Sequence, residues 1–505
     1  MSAVMEAAPA VVRTDTRGSV RAVLALARFE ARRLLLNVPV VVAFVAYTGW
    51  IVWRTQQSWD GYPALQDADR ATQGGPLLVG TAVMLCADFA VLRSRRHGTE
   101  GHFAVLVVAP WRRTVAHVLS VVPAAALTAV CVAGQFTWEA LKPGAIGHGS
   151  PAELAVGPLT VLLLGAAGVL LARLAPSPVA APLLAVCFLF TFVLGAFPAG
   201  GEGTAWLAPV VTEAGTDTLP SDLLGRPAAW HALYLAGLAL CAAFLAVLAA
   251  GGRNVAVKAG VAVTLVLALV GAVGQAGEVS PEVTAARERF SVSPEKEQTC
   301  VERGRSTYCA FPEWTARTGT WAGVVDRVQS LAGGSARTQP LVVRQRIDAR
   351  HGLDGDAALP PSAAAHQVTV GTSWGGNRVP EFSTAVAAVL VAGDEKASGA
   401  ICDGRMVTLM WLSLSWQDDP LDALRRVRLD DSLSGSAVVL SPTDPLTMTE
   451  GQTDVVRRLL ERADDDTAGK VKAHWAELTS PDVTTARAAQ LLGVAGPRGA
   501  DSCGE

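Results

Sequence analysis

The chain contains no G-x-x-x-x-G-K-[ST] segment, no H-E-x-x-H and no G-x-S-x-G. The first absence removes the phosphate loop of an ATPase, the second the common zinc-hydrolase helix, and the third the nucleophile elbow of a serine hydrolase. Histidine is scarce, eight in 505 residues. Only His351, His366 and His474 fall in the last 230 residues, and no two stand at the i, i+4 spacing that would suit a metal. The acidic run Asp464–Asp466 lacks the spaced oxygen ligands of a calcium loop and reads as a solvated helix junction. No catalysis, cofactor or metal is therefore expected of this chain.

Charge is also missing, but only from the first 275 residues. They hold 18 Lys+Arg and 14 Asp+Glu, whereas residues 276–505 hold 24 and 31. The net charges, +4 and −7, sum to the overall −3. Such a split points to a membrane half and an aqueous half. The acidity of the second half argues against a nucleic-acid partner. Arginine outnumbers lysine 36 to 6, a skew expected of a GC-rich genome and without functional weight.

What the first half does have is apolar length. Seven runs, at about 34–53, 75–92, 114–137, 154–172, 177–197, 229–250 and 256–275, approach the roughly 20 residues needed to cross a hydrocarbon core of about 30 Å. They are continuous, as helices require, and lack the alternation of barrel strands. The first run follows a basic segment with no clean A-x-A site, so a retained span is expected rather than a signal peptide.

With the N-terminus in the cytoplasm, the inner segments carry fourteen Lys+Arg and the outer loops only Arg54, Arg70, Lys142 and Arg226. This bias sets the orientation. Seven crossings then leave residues 276–505 outside. Trp50, Trp53, Trp111, Trp138 and Trp230 fall near span ends, where amphipathic rings prefer the interface.

Two inner segments stand out. Residues 17–34 place Arg17, Arg21, Arg28 and Arg32 on one helical face, with Val20, Val23, Leu26, Ala27 and Leu34 opposite. That is a basic amphipathic helix lying in the interface, although such a segment also serves as a stop-transfer flank. Residues 93–113 run from Arg93, Arg95 and Arg96 through Gly98, Thr99 and Glu100 to Pro110, Arg112 and Arg113. A brief helix with Thr99 near its N-cap and Pro110 as its stop is expected there. Taken alone, the loop is equally a positive-inside flank. Asp88, about one turn from Arg93, reads as a carboxylate paired locally near the inner interface, and His117 and His231 as interfacial.

Together these features resemble the permease subunits of ATP-binding-cassette exporters of the ABC type 2 class, over residues 20 to about 250. Such permeases begin with an elbow helix carrying Arg-Phe-Glu-x-Arg-Arg, here Arg28, Phe29, Glu30, Arg32 and Arg33. Between spans 2 and 3 many carry a basic cluster, Gly-Thr-Glu and a later proline, here Arg95, Arg96, Gly98, Thr99, Glu100 and Pro110. Gly101 and His102 depart from that pattern where longer helix formers are expected. The resemblance implies a six-span core plus one further span, and a loop seated on a separate ABC ATP-binding subunit. It also implies a homodimer or a second permease, in a plasma membrane. The domain plan is a permease domain over 1–275, a polar tether over 276–299 and an extracytoplasmic domain over 300–505. The rival reading is a membrane-tethered sensor or binding protein without transport. A membrane enzyme is a third, opposed by the absent motifs.

The last domain is expected to be helix-rich α+β. Helices are expected near 320–332, 382–392, 404–416, 450–463, 468–478 and 482–492, the last opened by Ser480-Pro481 and closed by Gly493. Strands are expected near 340–347 and 367–371. Cys300 and Cys309 enclose eight residues in an oxidising compartment, so a disulfide is expected. Cys402 and Cys503 make the count even and are open to a second bridge. Cys86, Cys131, Cys187 and Cys241 lie in spans and read as small apolar residues. Tyr308, Cys309 and Pro312 are similar to a Tyr-Cys-x-x-Pro element in outer tails of such permeases, some of which look peptidase-like. Without the zinc motif, such ancestry would be catalytically dead.

Overall fold

The computed structural model describes residues 16–57, 62–99, 109–193, 208–211, 218–277, 279–350, 359–462 and 466–501. The first half is all helix: α1 (Thr16–Leu35), α2 (Val38–Gln57), α3 (Leu65–Ala71), α4 (Gly75–Arg96), α5 (Pro110–Leu119), α6 (Val122–Ala140), α7 (Pro151–Leu174), α8 (Ala180–Val193), α9 (Ala228–Ala249) and α10 (Val255–Gln275). The starts follow local chemistry. Ser150 accepts from the Glu153 N–H with Pro151 behind it at α7, and Asn254 accepts from the Val257 N–H at α10.

Six helical stretches among the described residues are long and apolar enough to cross a membrane. The expected 177–197 span corresponds to α8, 14 residues long, and the rest of that run lies outside the described residues. The expected third span is two helices, α5 and α6, joined at Ser120 and Val121. Close crossings use small residues, as helices packing without a hydrophobic drive require. A Cβ at Gly168 would lie 2.3 Å from the Met84 carbonyl oxygen, so α4 and α7 touch backbone to backbone. Gly237 and Gly271 do the same for α9 and α10, against Ala268 and Tyr234. The outward faces of α2 and α10 remain apolar and exposed, with Val38, Val45, Val263 and Val273 among the residues there.

Residues 276–299, expected to be a polar tether, contain a helix packed on the region that follows: Ser280 caps α11 (Pro281–Val292), whose Ala286 and Phe290 are buried in the core beyond. A four-stranded sheet follows in the order β1 (Thr299–Arg303), β2 (Ser306–Ala310), β3 (Val342–Gln345), β4 (Gln367–Val370). β1 and β2 form an antiparallel hairpin, while β2, β3 and β4 run parallel. The hairpin turn is Gly304-Arg305, with Gly304 at φ +62°, where a two-residue loop needs glycine. Helix α12 (Thr318–Leu331) crosses from β2 to β3. α13 (Arg378–Ala392), α14 (Arg405–Leu414) and α15 (Glu450–Leu460) build the rest of the core, beside a second hairpin, β5 (Ala437–Val439) and β6 (Leu446–Met448). Thr449 opens α15 with a reciprocal capping box to Gln452.

The expected strands and most expected helices are present. The β1–β2 and β5–β6 hairpins and the helix Pro420–Val427 were not expected. The helix Thr485–Leu492 opens at Thr484, which accepts from the Arg487 N–H, rather than at Ser480-Pro481. It closes at Gly493 in the left-handed conformation, as expected. Cys300 and Cys309 are bonded and directly opposed across β1 and β2, with Cα atoms 4.0 Å apart. Cys402 is disulfide-bonded too, and Cys503 lies outside the described residues. Cys86, Cys131, Cys187 and Cys241 are in no disulfide among the described residues.

The C-terminal region is docked on one end of the helix bundle. Its apolar core, around Trp314, Trp321 and Phe382, continues into Ala64, Ile146, Leu219 and Leu223. Arg317 ties the same surfaces together with polar bonds, donating to the carbonyls of Tyr62 at 2.7 Å and Gly144 at 3.4 Å.

Candidate functional site at the basic end of the bundle

The opposite end of the bundle gathers both expected motifs. Helix α1 packs chiefly on α5, the helix that leaves the 93–113 loop, and also touches α4 and α6. Its packed stripe is Ala27, Glu30, Ala31 and Leu34, with Val23 and Leu26 half-buried. Val20, on the same face, is 59 % exposed, because it lies near the N-terminal end of α1, ahead of the buried stretch that begins at Ala27. Arg28, Phe29, Arg32 and Arg33 all face out, and Arg33 lies over the Phe29 ring at 5.6 Å.

Glu30 is the exception in the motif. It sits in the packed stripe, only 7 % exposed, and accepts a bond from Arg93 at 2.9 Å. The elbow motif and the basic cluster, 63 positions apart, thus meet through one ion pair. Asp88, expected to be paired locally, does not bond Arg93. Asp88 is fully buried, and neither of its oxygens has a hydrogen-bond partner among the described residues. Arg93 turns to α1 instead.

Beyond Arg93, Arg95 and Arg96 are exposed, and Arg96 stacks on Phe89 at 5.2 Å. The helix then ends in a defined way. The Gly98 N–H donates to the Arg95 carbonyl at 3.1 Å, and the Thr99 N–H reaches back to the Ser94 carbonyl at 2.9 Å. Gly98 has φ +65°. These paired bonds about a left-handed glycine are the Schellman stop, which satisfies carbonyls that a helix end leaves open. Thr99 therefore completes the end of α4. Glu100 and the residues up to 108, with the brief helix expected there, lie outside the described residues. Pro110 is the first residue of α5, where a missing N–H costs nothing.

The docked end holds a cluster that the sequence reading passed over. Arg226, counted there only as an outer-loop charge, is 6 % exposed at its side chain. It stands 3.5 Å from Asp67, 3.6 Å from Asp69 and 3.4 Å from Glu153, and donates to the Gln66 carbonyl. Gln73 completes the cluster, donating to Glu153 at 2.8 Å and accepting from the Val211 N–H. The contacts join α3, the turn between α3 and α4, α7 and the segment before α9. One signal was available: Ser150-Pro-Ala-Glu153 reads as a helix start with its carboxylate in the first turn. His231, expected at an interface, is buried and bonded to Gln275 at 2.7 Å between α9 and α10.

No family model, curated protein or solved structure matches this chain.

Proposed function

We propose that this chain is the membrane-spanning permease subunit of an ATP-driven exporter of the ABC type 2 class. It sits in the plasma membrane with its N-terminus and the 93–113 loop in the cytoplasm and residues 276–505 outside. The ATPase is a separate polypeptide seated on that loop, and the permease works as a dimer with itself or with a second permease. Closure of the ATPases pushes on the loop, and the spans alternate between states. The chain itself performs no chemistry.

The observation that carries this reading is the Glu30–Arg93 pair. A flank that merely retains positive charge inside needs no fixed geometry. Here the elbow motif is held to the helix that enters the loop, while α1 packs on the helix that leaves it. A push on the loop would move α1, α4 and α5 together.

Glu100→Lys tests the reading by co-purification with the ATPase and by permease-stimulated ATP hydrolysis. The control is a charge reversal on the exposed Arg337. Lys142 does not serve as that control, because it pairs with Glu139 at 2.7 Å. Reversal in the first turn of a helix costs only about 0.3–1 kcal/mol if the helix is isolated, but several times more at a desolvated subunit contact. Glu100→Lys is expected to insert normally, to lose complex and to lose stimulation, while Arg337→Glu keeps both. If both variants keep full complex and stimulation, the loop is only a flank, and the tethered sensor takes this reading's place.

A further inference from the structure

A cavity of about 310 Å³ opens in the C-terminal region at the carboxyl end of β4. Val370, Gly371, Ser373 and Trp374 form its floor. The first turn of α13 is one wall, and the 440–445 loop between β5 and β6 is the other. Open sheets with parallel strands bind ligands at this end of their strands, and sites for small molecules begin at about 300 Å³.

The lining has a specific charge pattern. Among the described residues it carries one cation, Arg378, and one anion, Glu381, paired at 2.9 Å. Glu381 is 4 % exposed. Its Oε2 takes the Arg378 bond, and no bond to Oε1 is present among the described residues. Burial pushes this carboxyl above its usual range, against the pull of Arg378. The remaining surface is mainly apolar, with Trp374 and Phe382 edge to face at 5.5 Å and Pro442 opposite.

We propose that this cavity binds a free α-amino acid with an apolar side chain. The lining is neutral overall but presents both signs within one ion-pair distance. A plain amine or a plain carboxylate would add an uncompensated charge beside the nearly dry Glu381, which is costly, although Arg378 still reaches solvent. An α-amino acid carries its ammonium and carboxylate on one carbon, so Glu381 and Arg378 meet both at once. A peptide holds its terminal charges too far apart for that. The Trp374, Phe382 and Pro442 surfaces then take the side chain. Thr372, between the floor residues Gly371 and Ser373, belongs to the anchor: its carbonyl accepts from Trp314 Nε1 at 2.7 Å and from Arg317, which holds Tyr62 of the bundle. This assignment stands apart from the transport reading, because it concerns only the C-terminal region.

The test is equilibrium binding to the full-length protein in lipid nanodiscs. The probes are L-leucine and L-phenylalanine, beside N-acetyl-L-phenylalanine, 2-phenylethylamine and L-phenylalanyl-glycine. Saturable binding of leucine or phenylalanine is expected, with each altered probe weaker by about tenfold or more. Glu381→Gln should cost a similar factor. Should that buried substitution impair folding, Ser441→Trp on the loop fills the cavity from outside and should abolish binding. The proposal is overturned if no amino acid binds at millimolar concentration, if the altered probes bind as tightly, or if Ser441→Trp binds like wild type.

Discussion

Glu30 in α1 and Arg93 near the end of α4 form an ion pair at 2.9 Å, with side-chain exposures of 9 % and 33 %. The carboxylate is nearly dry, while the guanidinium still reaches solvent. Breaking such a pair from the Arg93 side therefore strands a buried charge. Breaking it from the Glu30 side leaves an arginine that water can still solvate.

That asymmetry gives the first prediction. Arg93→Gln is expected to destabilise the protein by about 1–3 kcal/mol, and Glu30→Gln by less. In a double-mutant cycle followed by thermal melts in detergent, the double variant should be no less stable than Arg93→Gln alone. Simple additivity would mean that the two residues do not interact in the folded protein.

Gly98 supplies the second. It stands at φ +65° with open space where a Cβ would go, so any cost of substitution is backbone strain and not a clash. Gly98→Ala should cost about 1–2 kcal/mol at this end of α4. Gly98→Asn should cost less, since asparagine tolerates the left-handed conformation. Melting temperatures of the two variants decide the matter, and equal losses would show that the turn is not what Gly98 is needed for.

The third concerns Cys300 and Cys309. In the chain-entropy account, a loop this small contributes about 2–3 kcal/mol. Peptide mapping without reductant should recover the two as one linked fragment. Replacing both with serine should lower the unfolding transition of the C-terminal region and leave the helix content of the bundle unchanged. β1 is the exposed edge of its sheet, so its proteolysis should rise first.

A fourth prediction tests the docking. Arg317 is 3 % exposed, and burial lowers its pKa to about 10, so it remains charged at neutral pH. It bonds the carbonyls of Thr372, Tyr62 and Gly144. Arg317→Ala removes all three bonds and should cost about 3 kcal/mol. Limited proteolysis near residues 62–64 should accelerate while the bundle stays inserted. Unchanged cleavage would mean that the shared apolar core around Trp314 and Leu219 holds the two parts together unaided.

Much of this architecture is written locally. A run of some twenty apolar residues has one way to satisfy its backbone away from water, so α2, α4, α7, α9 and α10 could be placed by inspection. Cys300 and Cys309 are close enough in sequence for their pairing to be foreseen. Gly98 could be marked as a turn because few other residues tolerate positive φ. The amphipathic run 17–34 fixed α1 and the face it packs, though not that Glu30 lies in that face and takes Arg93, 63 positions downstream.

What the sequence determined by itself, then, is the set of elements whose stability depends on their own neighbours: spans, caps, turns and the close disulfide. The tertiary structure decided which charged group answers which. Nothing in the local pattern says that Arg93 takes Glu30 and leaves Asp88 unbonded, that Arg226 gathers Asp67, Asp69 and Glu153, or that Arg378 and Glu381 face the β5–β6 loop across a cavity. The physical reason is that a charge leaving water accepts whichever partner the packed helices bring within about 4 Å, and sequence separation does not enter that energy.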